Sequence, residues 1–226
     1  MKTKLALFLG TLLALSVAGC DGDGNGTGGT GGAGGETGGS GGSTGGTGGS
    51  TGGTGGTGTT SNALSCDDYC AAVATNCTAD QSQYGDDAAC KAICAKFPIG
   101  TVDEQSGNSL GCRTYHGGTP AAGDPGTHCP HAGPLGGGVC GNDCDNFCDL
   151  VDALCSGQAS PPYTSKTECM TACAAFPGTG TVPYNSTVTS GNSLACRMYH
   201  LTVGSTSASN LETHCPHTAA VSATCN

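Results

Sequence analysis

The sequence predicts a small, disulfide-rich, mainly α-helical fold: two tandem homologous domains of short helices, each with four disulfides, behind a disordered linker. Three observations carry this. Of 17 cysteines, all but Cys20 fall into two sets of eight after residue 62. The gaps inside the sets run x3, x6, x12, x3, x17 and then x3, x6, x13, x3, x22, so the chain repeats with a period of 78 residues. Residues 21–62 are nearly all Gly, Thr and Ser, a composition that cannot bury enough apolar surface to offset the entropy of ordering it.

The N-terminus sets the compartment. Lys2 and Lys4 precede an apolar run from Leu5 to Leu15, followed by small residues up to Val17-Ala18-Gly19-Cys20. That run is too short for a retained membrane span and has the layout of a secretory signal. The "VAGC" string resembles the lipobox of bacterial lipoproteins. The resemblance implies removal of residues 1–19 and lipidation of Cys20, with several acyl chains, which meets the requirement of two signals for durable anchoring. It places the protein as exported and lipid-anchored, at the outer membrane or cell surface, although the meaning of Asp21 for inner-membrane retention varies between lineages. Residues 20–62 are then the lipidated cysteine and its tether, with a root-mean-square reach of roughly 35 Å. The charge of −10 becomes two units more negative once Lys2 and Lys4 leave. Such an acidic chain is a poor partner for nucleic acid.

Two Cys-rich repeats follow, at 63–141 and 142–226. The first holds Cys66, Cys70, Cys77, Cys90, Cys94, Cys112, Cys129 and Cys140; the second holds Cys144, Cys148, Cys155, Cys169, Cys173, Cys196, Cys215 and Cys225. An even number per repeat in an exported chain argues that all sixteen form disulfides. Each repeat has few large apolar residues, so cross-links, each typically contributing 2 to 4 kcal/mol (roughly), substitute for core. Ser65 is placed to cap a helix that carries Cys66, Cys70, Val73 and Cys77 on one face, and Cys144, Cys148, Val151 and Cys155 repeat that spacing. A capping box from Ser165 to Glu168 opens a second helix with Cys169, Cys173 and Phe176, which Pro177 ends; Cys90, Cys94, Phe97 and Pro98 are the counterparts. Two x3 pairs on consecutive helices resemble disulfide-stapled helical hairpins. That resemblance implies Cys66–Cys94, Cys70–Cys90, Cys144–Cys173 and Cys148–Cys169, among the 105 connectivities that eight cysteines allow.

A third helix, capped by Asn108 or Ser109, carries Leu110, Cys112, Arg113, Tyr115 and His116. After it the strings "GGTPAAGDPGT" and "LTVGSTSASNLET" read as loops of variable length, each delivering an "HCPH". All six histidines lie in these recurring strings: His116, His128 and His131 in the first copy, His200, His214 and His217 in the second. Three imidazoles per repeat suit Cu(II) or Zn(II), provided their nitrogens converge to about 3 to 4 Å, as metal–nitrogen bonds near 2.0 Å require. The alternative is that they are buried hydrogen-bonding pieces that tie a loop to a helix. Arg113 and Arg197, the only arginines, are either surface anchors or partners of local carboxylates and helix-end carbonyls. The chain has no GxSxG, HExxH, CxxCH or phosphate loop, and every cysteine of the repeats is assigned to a bridge, so no catalytic residue is assigned and a non-enzyme is expected. The sequence reading is therefore a lipid-anchored envelope or surface protein. Its two disulfide-rich domains form a non-catalytic module for an envelope or extracellular protein or glycan; the alternative is a transition-metal protein for Cu or Zn with one three-His site per repeat.

Overall fold

Helix α1, Cys66–Asn76, begins where the Ser65 hydroxyl accepts the Asp68 N–H at 3.1 Å, and Asp67 and Asp68 occupy its first turn, where negative charge complements the helix dipole. This is the computed structural model of the chain, and it describes residues 63–226. The expected signal segment 1–19, the lipidated Cys20 and the tether to residue 62 lie outside the described residues. Helix α2, Asp87–Cys94, is capped by Asp86, and bridges Cys66–Cys94 and Cys70–Cys90 staple it to α1, the pairing of a stapled hairpin. Helix α3, Leu110–Gly117, has Ser109 as its cap. The same plan returns in α6, Asp143–Cys155, and α7, Lys166–Ala174, joined by Cys144–Cys173 and Cys148–Cys169. The Ser165 hydroxyl accepts the Glu168 N–H at 3.2 Å, while the Glu168 carboxylate accepts from the Thr164 N–H at 2.7 Å. The expected capping box therefore closes one residue further out.

The two strings read as loops are largely helical. In the first copy α4, Thr119–Gly123, and α5, Pro125–Ala132, fill the stretch, each with proline near its start, where the missing N–H costs nothing. In the second copy α8 extends over Leu194–Gly204 and α9 covers Ala208–His214, followed by a 3₁₀ turn at Cys215–Thr218. The loop reading failed because these segments carry little apolar periodicity, their helices being marked instead by prolines in the first copy and by the Ser207 cap in the second.

Among the described residues the secondary structure is helical, without strands, and eight disulfides cross-link it. The remaining four are Cys77–Cys129, Cys112–Cys140, Cys155–Cys215 and Cys196–Cys225. No bridge joins a cysteine before residue 141 to one after it. The buried apolar side chains of both repeats nevertheless merge into one cluster that includes Tyr69, Ile93, Phe147 and Met198. Helix α2 packs on α8 across the repeat boundary, and the Ser186 N–H donates to the Ser82 carbonyl at 2.7 Å. None of the described helices is long and apolar enough to cross a membrane.

Candidate metal centre

In repeat 1 the three histidines come from two helices that packing and a bridge hold together. His116 sits on α3 one residue before Gly117, where a Cβ would lie 2.9 Å from Val73 Cγ2; glycine lets α3 close onto α1 there. The Asn76 side-chain amide donates to the Gly117 and Gly118 carbonyls at 2.9 and 3.1 Å, satisfying the end of α3. His128 and His131 lie on α5 at i and i+3, hence on one side, and Cys129 between them is tied to Cys77 at the end of α1. Repeat 2 uses another route. Helix α8 runs past His200 to Gly204, whose missing side chain admits His214, with a Cβ there 3.1 Å from His214 Cβ. His217 lies in the 3₁₀ turn, and Cys215 is tied to Cys155.

The resulting triads share their ring arrangement, with the third histidine drawn closer in repeat 2 than in repeat 1. His116 and His128 stack at 5.2 Å between ring centroids and 21° between planes, and His200 and His214 at 5.2 Å and 23°. The third imidazole stands edge-on in both copies, His131 at 84° to His116 and His217 at 79° to His200. His116 Nδ1 is 2.9 Å from His128 Nδ1; His200 Nδ1 is 3.0 Å from His214 Nδ1 and 3.3 Å from His217 Nδ1. Within each triad one nitrogen per ring lies within 4.8 Å of the other two. Tetrahedral ligands with bonds near 2.0–2.1 Å stand about 3.3–3.4 Å apart; the His116–His128, His200–His214 and His200–His217 nitrogen pairs lie near that spacing, and each full triad closes to within 4.8 Å.

The far side of the helix histidine orients it. His116 Nε2 lies 3.0 Å from the Gln105 carbonyl and His200 Nε2 lies 3.2 Å from the Thr189 carbonyl. A carbonyl only accepts, so Nε2 carries the proton and the Nδ1 lone pair faces the triad, the arrangement by which a backbone carbonyl fixes the tautomer of a metal-ligating histidine. His131 Nδ1 is buried without a protein partner, and a buried nitrogen left unpaired costs about 1–3 kcal/mol unless something satisfies it. Burial, and after it the neighbouring His116 and His128, hold the His131 imidazole below its ordinary range. Burial followed by His217 does the same for His200 and His214. Sulfur donors also lie close: Cys112 and Cys140 flank His116, and Cys196 and Cys225 flank His200. Both pairs are disulfides, which leaves a set of neutral nitrogens suited to Zn(II) or Cu(II).

The arginines prove to be internal struts rather than surface anchors. Arg113 is fully buried, lies 3.9 Å over the Phe97 ring, and donates to the Gly133, Pro134 and Ser109 carbonyls and to Asn108 Oδ1. Arg197, 1% exposed and 3.7 Å over Phe176, donates to the Ala219, Ala220, Ser193 and Cys225 carbonyls and to Asn192 Oδ1. Each guanidinium thus grips the two carbonyls that follow the last histidine's neighbour. That neighbour's own carbonyl is held by a phenol: Tyr69 donates to Ala132 O at 2.6 Å, and Tyr163 to Thr218 O at 2.7 Å. Burial pushes both phenols up to about 12, so they stay protonated donors. Sequence reasoning brought all six histidines forward and offered carbonyls as arginine partners, but it missed the tyrosine donors and the Gln105 and Thr189 carbonyls. The recurring "SGNSL" before "CR" was the available signal, since its asparagine and serine are arginine partners.

Residues 53–143 match the BfoA family C-terminal domain. The segment contains the first triad and the first four bridges. The Aurasperone B biosynthesis cluster protein A of Aspergillus niger is similar to this chain, 37% identical over 93 residues that make up 38% of this chain and 30% of that protein. The Bifonsecin B biosynthesis cluster protein A of Aspergillus brasiliensis matches at 37% over 93 residues, covering 38% of this chain and 31% of its own length. The alignment thus spans less than a third of each of these relatives. No solved structure matches.

Proposed function

We propose that this protein binds a transition metal, copper or zinc, at one three-histidine centre in each repeat: His116, His128 and His131 in the first, His200, His214 and His217 in the second. The observation that carries the reading is the convergence of three imidazole nitrogens within 4.8 Å in both copies, reached over two different backbone routes. The histidines would supply three neutral ligands and leave further positions for water or an exogenous donor. We further propose that 63–141 and 142–226 are two homologous domains, a reading supported by the partition of the bridges, four before residue 141 and four after. The lipobox and the tether support display of these domains from a lipid-anchored Cys20, in a binding rather than catalytic role. The relatives' names attach them to the biosynthesis of aurasperone B and bifonsecin B, and that association supports a place for the module beside small-molecule biosynthesis.

The test is elemental analysis of the oxidised protein, purified without chelators, with a thiol assay on the same sample. About two equivalents of copper or zinc with no free thiol are expected, falling to about one in His131→Ala or His217→Ala alone and to none in the double variant. A folded, thiol-free protein that takes up neither metal overturns the reading. Mass spectrometry of the mature N-terminus tests the anchor, with acyl chains on Cys20 as the expected result.

A further inference from the structure

A cleft of about 560 Å³ opens between the repeats, and both contribute to it. Repeat 1 supplies Leu135 and His131, and repeat 2 supplies Asp143, Val182, Pro183 and Tyr184. The size lies within the range of small-molecule sites. Its wall is partly apolar: Val182 is 62% exposed, while Leu135 and Tyr184 are buried behind it. Against this surface stands one carboxylate. Asp143 is half-buried and accepts the Gly180 N–H at 3.2 Å, and burial raises its carboxyl above the ordinary range. Among the described residues the ion pairs join Lys91 to Asp67 and Asp87, and Lys166 to Asp149; Asp143 takes part in none. No lysine or arginine lines the cleft.

We propose that this cleft binds a small organic cation, an ammonium group on an apolar body. The ammonium pairs with Asp143, and the body packs on Val182, Pro183 and Leu135, with the Tyr184 and His131 rings beside it. Asp143 opens α6, where the helix dipole offsets part of its charge, but no cationic side chain pairs with it, so it attracts a cation and repels an anion. The site stands on its own walls and does not require the metal. His131 belongs to both the cleft and the first triad, so an occupant is felt at the first centre and not at the second, whose histidines are absent from this cleft.

The experiment uses two probes matched in body and opposite in charge, phenethylamine and 3-phenylpropionate, titrated into the full chain and followed by NMR. Phenethylamine is expected to move the Val182 and Leu135 methyl resonances and the His131 ring resonances saturably while leaving His217 unmoved, and 3-phenylpropionate to bind at least tenfold more weakly. Asp143→Asn is expected to bring the two affinities within about twofold, and Val182→Trp, a change at an exposed position, to abolish both. Equal binding of the two probes in the unaltered protein, or no movement of cleft resonances with either, overturns the proposal. The titration is run with and without added metal, so failure of the metal reading leaves this outcome separate.

Discussion

Repeat 1 and repeat 2 hold the same carbonyl by different residues. In repeat 1, Tyr69 on α1 donates to Ala132 O and its own oxygen is met by Tyr84 at 2.7 Å. In repeat 2 the position of Tyr69 is Phe147, and Tyr163, the counterpart of Tyr84, reaches Thr218 O directly. The chain between the helix histidine and "HCPH" also differs, being two short helices in one copy and an extended α8 with α9 in the other. The imidazole stacking nonetheless agrees within 2°. Side-chain identities and backbone path have drifted while the position of the last histidine has been kept. What both copies retain is the set of three consecutive carbonyls behind that histidine, each with a donor.

This comparison can be broken or sharpened by substitution. The largest effect is expected for the arginines. Arg113→Met removes buried bonds to the Gly133, Pro134 and Ser109 carbonyls, whereas of the four carbonyls that Arg197 holds only the bond to Cys225 is buried; an unpaired buried group costs about 1–3 kcal/mol before any relaxation. Both variants should lose stability, Arg113→Met by about 3 kcal/mol and Arg197→Met by less; small losses from both in urea unfolding would break the idea that these are struts. Next come the phenols. Tyr163→Phe and Tyr69→Phe should each cost about 1–2 kcal/mol, because each removes the donor to a buried carbonyl, whereas Tyr84→Phe should cost less because Tyr69 still reaches Ala132 O. If Tyr84→Phe proves as harmful as Tyr69→Phe, the two networks are not equivalent.

A subtler difference should appear with pH in the metal-free protein. His131, His200 and His214 are held below the ordinary imidazole value, so the unfolded chain binds protons more readily than the folded one. Stability should therefore be full above about pH 6.5, the unfolded histidine value, and decline as pH falls from there through the lowered folded values. Bound metal should steepen the fall, since protons compete for the same nitrogens. Urea midpoints measured from pH 7.5 to 5 check this, and a flat profile would count against a desolvated triad. The smallest effect is expected at Lys91, whose ion pairs with Asp67 and Asp87 are exposed. Lys91→Met should leave the melting temperature unchanged, because the two bridges between α1 and α2 already fix that geometry.

The helical hairpins were legible because cysteine spacing, caps and prolines all mark the same faces. Ser65, Ser109 and Ser165 stand where their hydroxyls accept the expected N–H groups. Helices α4 and α5 were hidden because Thr119–Ala132 has no apolar stripe; Pro120 near the start of α4, Asp124 as a cap and Pro125 at the first position of α5 were the marks available. The triads were legible as recurring strings, but their chemistry was not. The groups that set the tautomers are the backbone carbonyls of Gln105 and Thr189, and a carbonyl leaves no signature in sequence. Carbonyl partners for the arginines were among the sequence readings, but which carbonyls they hold was hidden for the same reason.

Cys129 and Cys215 each sit inside an "HCPH", and their bridges to Cys77 and Cys155 close the longest spans among the described residues, with sequence separations of 52 and 60. In the reduced chain that covalent tie is absent, and the approach of the helix histidine to the two that follow it rests on helix packing and on the arginine and tyrosine donors behind the last histidine. Under the proposed metal reading, closing the bridge removes the chain entropy that a metal would otherwise have to overcome. The grip of each triad would then be set by the thiol chemistry of its surroundings.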